Sequence, residues 1–541
     1  MVRLIQKSVG SLLCLLALAC DGGSHDPQGE TPGGPGGGPA GDSVAGAPGQ
    51  AGGTAGAGVP GGTGGSNPGG TDGPLPGRLR RLTNAEFDSS VKALLGVDST
   101  YGASFTPDTR QEGFTRNDAQ RVDPVFVTQL NDAAQKIAAS AKARVNELAP
   151  CSMQGGNESC ARTFVQNFAK KAYRRPATGR EVDALMAVYR AGSEGAAYAD
   201  GVEAVIVATL QSPGFLYLTE LGDTQQPAPA RMNHHEIASA LSYLLIGAPP
   251  DDALLSAANA GELQEGSARV TQAKRLLGTQ AASAQVVRMV HEWLGIDRIT
   301  ETAKDSNVYP EFAGLRDAMK READQFVSEL MWKSAGSVSE LFAADWTLAE
   351  DGLARMYLGL SGGQSVPRNN GRVSLQSVRR RGILSQGAFL SVYAHATETA
   401  PVLRGVAVLR RIACATVPSP TTLNLNVVPP VPDPSKTTRE RFTVHTQDAA
   451  CASCHKSIDA VGFSFEKLDG MGRARQMENN RQVDSSTTLS SGYGFDGSFA
   501  DSADLALKLA TSPDVETCFA QRKRGAAGAV VATADARGSR T

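Results

Sequence analysis

The chain has 541 residues, more than one hydrophobic core of ordinary size can organise, so several packed units are expected. Lys and Arg number 53 against 55 Asp and Glu, a net charge of -2, which argues against nucleic acid or an anionic lipid surface as a partner. The 59 Gly are concentrated in one stretch, and the 8 Cys are too few for a disulfide-rich miniprotein, so the order of the segments carries the information.

Arg3 and Lys7 precede an apolar stretch, Val9 to Ala19, that is shorter than the roughly 20 residues needed to span a bilayer but suits a secretory leader. It ends Ala17-Leu18-Ala19-Cys20, which resembles the lipobox of bacterial lipoproteins with its first two places exchanged. Residues 1–20 are therefore read as a signal peptide with lipidation at Cys20, ordinary cleavage after Ala19 being the other outcome. Either places the chain in the cell envelope, periplasmic or at the outer membrane or surface, touching membrane through a lipid anchor alone. Residues 21–77, rich in Gly, Pro, Ala, Ser and Thr, cannot bury enough apolar surface to offset backbone ordering and are expected to form a disordered tether.

From residue 78 the pattern turns helical. Thr83-x-x-Glu86 reads as a capping box, Phe87, Val91 and Leu95 follow on one face, and Gly96 stops the helix. Similar starts recur at Thr178-x-x-Glu181, Asn233-x-x-Glu236 and Ser337-x-x-Glu340, the third leading into Ile237, Leu241, Leu244 and Leu245. Alternating strand patterns are scarce, so the expected fold class is mainly α: a stack of small helical domains with a C-terminal module. Punctuation near Pro150, 222–231, 361–372 and Pro418 to Pro434 gives helical units at 78–149, 150–225 and 226–365, the module at 366–480 and a last unit at 481–541.

Cys451-Ala452-Ser453-Cys454-His455 is C-x-x-C-H, the attachment sequence of c-type haem. One helical turn offers both sulfurs to the porphyrin vinyl groups while the next residue supplies an imidazole to the iron, so haem c is the expected cofactor. A plain disulfide, a redox dithiol and a zinc site also use two close thiols. Zinc would need more donors, with His445 nearest in sequence, and a redox dithiol usually sits on a fold that the helical pattern disfavours. The sixth haem ligand is open among Met471, Met477, His445 and His395, Met471 being the preferred candidate.

The chain resembles the exported multi-domain proteins of planctomycetes and myxobacteria built from a planctomycete cytochrome-like domain (PSCyt) and PSD domains of unknown function. The likeness is carried in order by Arg80 to Phe87 with Leu94-Leu95-Gly96, Ala172 to Pro176 with Gln211 to Tyr217, and Glu236 to Leu244 with Pro249 to Asp252. It continues through Arg381 to Leu384, Thr399 to Gly405 and Cys451 to Gly472. The resemblance implies an exported, helical protein, cytochrome-like at its C-x-x-C-H and without an established activity. It does not imply a family-wide Met ligand at the place of Met471. It does imply an aromatic-containing helix after Cys518, whereas here Arg522-Lys523-Arg524-Gly525 leads into Ala/Gly-rich sequence, as a truncated or shifted reading frame near Gln521 would produce.

Setting aside Cys14, Cys20 and the motif leaves Cys151, Cys160, Cys414 and Cys518. Cys151 with Cys160 would close a short Gly-containing loop, and Cys414 with Cys518 is the remaining pair. His291-Glu292 starts like a zinc-protease helix, but Gly295 stands where the second His belongs. His234-His235 and the run Arg379-Arg380-Arg381 are expected at solvated helix ends, and Arg404 suits either a haem propionate or a structural ion pair. No nucleophile elbow, phosphate loop or calcium loop is present, so no enzyme class and no catalytic residue follows. Two functions from different classes remain: a mono-haem redox protein with an unknown redox partner, or a surface-binding protein in which Cys451 and Cys454 form a disulfide.

Overall fold

The computed structural model describes residues 78–526 except 112, 118–121, 223–230, 333–336, 419–429 and 444–448. The described residues all lie within the unit Pro74–Thr541. The expected leader at residues 1–20 with Cys20, the Gly-rich stretch, His445 and the Ala/Gly-rich tail lie outside the described residues. Helices dominate, and the described strands are short and pair two at a time, so the chain is a mainly α stack of small units. No helix among the described residues is long and apolar enough to cross a membrane.

Three hydrophobic cores organise the stack. The first gathers Asn84–Leu95 (α1), Pro124–Lys142 (α2), Glu158–Ala172 (α3), Gly179–Ser193 (α4) and Tyr198–Leu210 (α5) around Phe87, Ile137, Phe168, Met186 and Phe215. An antiparallel ribbon of Arg78–Arg81 (β1) and Tyr217–Glu220 (β2) joins its two ends. A small core lies under His234–Ile246 (α6), where Ile237 and Leu241 meet Leu254 and Leu276. The largest takes in Gln280–Leu294 (α7), Phe312–Trp332 (α8), Asp351–Leu358 (α9), Pro401–Ala407 (α10), Ala449–Phe463 (α11), Ser502–Ala510 (α12) and Pro513–Ala526 (α13).

Capping chemistry sets the helix starts. The Thr83 hydroxyl accepts from the Glu86 amide while the Glu86 carboxylate accepts from the Thr83 amide, so two of the four orphan N–H groups of α1 are satisfied reciprocally. Gly96, at φ 63°, ends the helix. The same box opens α4 and α6, but at Ser337 only the hydroxyl half forms. Phe87, Val91 and Leu95 are buried as their spacing predicts, whereas on α6 Leu244 and Leu245 are only half-buried.

The motif helix is set by a close seam. Helices α10 and α11 run antiparallel, with Gly405 against Ile458 and Gly462 against Pro401; a Cβ at either glycine would collide with the facing carbonyl oxygen. Backbones that meet this closely require glycine. Beyond α10 a single π turn, Val408–Ile412, leads to Cys414, which is bonded to Cys518 on α13 across a sequence separation of 104. Cys151 and Cys160 form the second disulfide, across a separation of 9.

Candidate functional site

The C-x-x-C-H motif forms the first turns of α11. Positions three and four apart on a helix are neighbours, so Cys451, Cys454 and His455 share one side. Both thiols are free, and all three residues are half-buried. His455 Nδ1 lies 3.1 Å from Asp459 Oδ1, one turn further along. Asp459 is 3% exposed, and its Oδ2 has no hydrogen-bond partner. Tyr493 stands near Cys454; burial, Asp496 and the Cys454 sulfur together push its hydroxyl pKa up.

The adjoining face of α11 lines an open hollow of about 360 Å³ with Ala452, Lys456, Asp459, Ala460 and Phe463. Arg439 and Thr443 enclose it on one side and Thr487 and Thr488 on another. Arg439 donates to the carbonyls of Ser486 and Asp484 at 2.6 and 3.2 Å and lies over the Phe463 ring at 5.1 Å, so it is part of the wall.

Arg404 is used by the scaffold. It is fully buried, with Nη1 donating to the carbonyls of Phe465 and Leu468 and Nη2 to those of Leu390 and Asp469, at 2.7 to 3.3 Å. Burial pushes its pKa down to about 10. This corrects both sequence readings: the planar fork is taken up by four backbone carbonyls, three in the turn after α11 and one at Leu390, and not by a propionate or a simple ion pair. In the run Arg379 to Arg381 only Arg379 is an exposed helix end, just after the short helix Gln376–Val378, while Arg380 is buried and Arg381 half-buried. Arg379 binds Asp501 and Asp504, Arg380 is buried and donates to the carbonyls of Ser385 and Gly472, and Arg381 donates to that of Ala343.

Of the candidate sixth ligands, Met471 is fully buried in the largest core, between glycines packed near Tyr309 and near Leu390. It does not line the hollow. Met477 and His395 are exposed. His291 is buried on α7, 3.4 Å from Asp324, with its pKa lowered by burial, while Glu292 accepts from Thr115 and Gly295 caps the helix. His235 lies 3.0 Å from the Asn259 side-chain oxygen.

Sequence reasoning missed Asp459, although the spacing His455-x-x-x-Asp459 on a helix places the two side chains together. It also missed Gly405 and Gly462, whose role depends on which helix faces them.

Four family models match the chain in order: PSD3, a protein of unknown function (DUF1587), at residues 80–143, and PSD5, likewise (DUF1595), at 160–220. PSD4 (DUF1592) follows at 232–358, and PSCyt3 (DUF1588), also of unknown function, spans 380–478 with the motif inside it. The chain belongs to the planctomycete-type cytochrome-like multi-domain family. In this family member α10 and α11 both fall within the cytochrome-like domain, while the core that holds them also draws on α7, α8 and α9 of the PSD4 match. No curated protein and no solved structure matches the chain.

Proposed function

We propose that this is an exported mono-haem c-type cytochrome-like protein serving electron transfer or another redox step. Cys451 and Cys454 would hold the haem covalently, and His455 would be its proximal ligand. The observation that carries this reading is the donor set on one helix: two free thiols three residues apart, and a histidine whose Nδ1 is engaged by a buried carboxylate. That tautomer presents Nε2 to a metal. Zinc would want four donors, and among the described residues no group of three or more His, Cys, Asp and Glu side chains gathers to hold a metal ion.

When bound, haem c would supply one-electron chemistry. The chain's own residues do the rest: α10 and Arg404 fix α11, the thiols tether, and His455 is held in orientation by Asp459. Export follows from the leader, and lipidation at Cys20 with residues 21–77 as a tether would keep the folded body near a membrane. The proposed units 78–149, 150–225, 226–365, 366–480 and 481–541 complete this reading, with a redox protein as partner.

The test is to express the full chain in a periplasm with c-type haem maturation and to look for haem that stays on the denatured polypeptide, with Cys451→Ser as control. Haem on the wild type and none attached normally to the variant is expected. Matured, folded protein without haem would overturn the redox reading and leave the surface-binding one.

A further inference from the structure

Most buried carboxylates in the cytochrome-like domain are neutralised by a neighbouring cation. Glu466, 1% exposed, is 2.7 Å from Arg475 and accepts from Thr399, and Asp469 holds Arg473 at 2.7 Å. Asp459 differs. Among the described residues its ion contact is with the His455 imidazole and not with an arginine, and its second oxygen, like Oε1 of Glu466, is buried without a hydrogen-bond partner. A buried carboxylate oxygen left so is costly to stability. Its charge is therefore spent on the imidazole. The seam at Gly405 and Gly462 holds the helix that fixes this geometry.

We infer that Asp459 is a positioning residue that locks the His455 imidazole through Nδ1 and, by its negative charge at that nitrogen, raises the electron donation of Nε2 and stabilises the oxidised form of the bound haem. Outer-shell carboxylates on ligating histidines act in this way, and hydrogen bonding to an axial ligand is one of the levers on a haem potential. This rests on the proposed haem attachment, but it names a residue and a direction that the attachment motif does not contain.

The experiment compares matured full-length wild type with Asp459→Asn and Asp459→Glu, measuring covalent haem, the thermal unfolding midpoint and the reduction potential. Asn keeps an oxygen for Nδ1 and removes the charge. The expected result is normal covalent haem with the reduced form favoured at least tenfold more than in wild type, a rise of about 60 mV for one electron, and a potential restored towards wild type in Asp459→Glu. Should Asn fail to fold, Asp459→Ser, smaller at the same place, gives the same comparison. Unchanged potentials in folded, haem-bearing variants would overturn the role of Asp459 and leave haem attachment standing. Wild type without haem would overturn both.

Discussion

Arg174 and Arg404 lie in different regions and do the same work. Arg174 is buried beside the first core and donates to the carbonyls of Gly214, Phe215 and Tyr217 and to the Tyr243 hydroxyl. Arg404 does so for Leu390, Phe465, Leu468 and Asp469 in the largest core. In both places a five-donor fork collects several backbone carbonyls around a chain turn and ties them together. The surroundings differ. The turn held by Arg174 runs straight into β2 and its ribbon, whereas that held by Arg404 follows α11, so the second clamp fixes the helix that bears the thiols and the histidine. A buried arginine near a cofactor motif can thus be scaffold, and what marks a functional region is the chemistry left unspent beside it.

The largest expected effect tests the covalent frame of each region. Replacing Cys414 and Cys518 by Ser should cost about 5 kcal/mol by loop entropy, against about 3 kcal/mol for Cys151 and Cys160, whose loop is shorter; denaturant unfolding of the two double variants measures the difference. Equal losses would break the loop-length account. Arg404→Leu and Arg174→Leu should each destabilise by about 4 kcal/mol through orphaned carbonyls. Only the first should also lower the covalent haem yield after maturation, and equal yields would break the comparison between the clamps.

A smaller effect depends on pH. Glu322 on α8 is fully buried, accepting from Thr347 at 2.5 Å and Tyr357 at 2.7 Å, and burial pushes its pKa up to about 7 from the ordinary 4.5. Between those values the unfolded chain has lost a proton that the folded chain keeps, so stability is greatest below pH 4.5 and falls as pH rises to 7. The loss is about 3 kcal/mol. Glu322→Gln should flatten that slope in chemical unfolding measured across the window. The smallest effect is expected from Met471→Leu, a volume-conserving change costing about 1 kcal/mol. With haem attached as proposed, an unaltered spectrum in the matured variant would fit Met471 as core alone, and a changed spectrum would support it as the sixth ligand.

The helical class, three complete capping boxes and the motif were legible because each is a local pattern in which side-chain type and spacing decide the outcome. The hidden parts depend on distant chain. Arg380 and Arg404 look like surface or ligand cations until the carbonyls that surround them are known, and nothing local to Gly405 marks it as the place where Ile458 passes. The cores also cross the boundaries that punctuation suggests: α6 packs in its own small core, while α7 to α9 join the motif helix. Burial patterns show that a helix is covered on one face but not by which partner.

The glycine seam between α10 and α11 has a mechanical consequence. Side chains between helices act as a cushion that lets one slide past the other, and a backbone-to-backbone contact removes it. The two helices therefore meet with little room to slide, and the one that packs against the thiol-bearing helix continues into the π turn at Val408–Ile412 and on to the crosslink at Cys414. A shift at the motif thus has a path to the place where α13 is anchored.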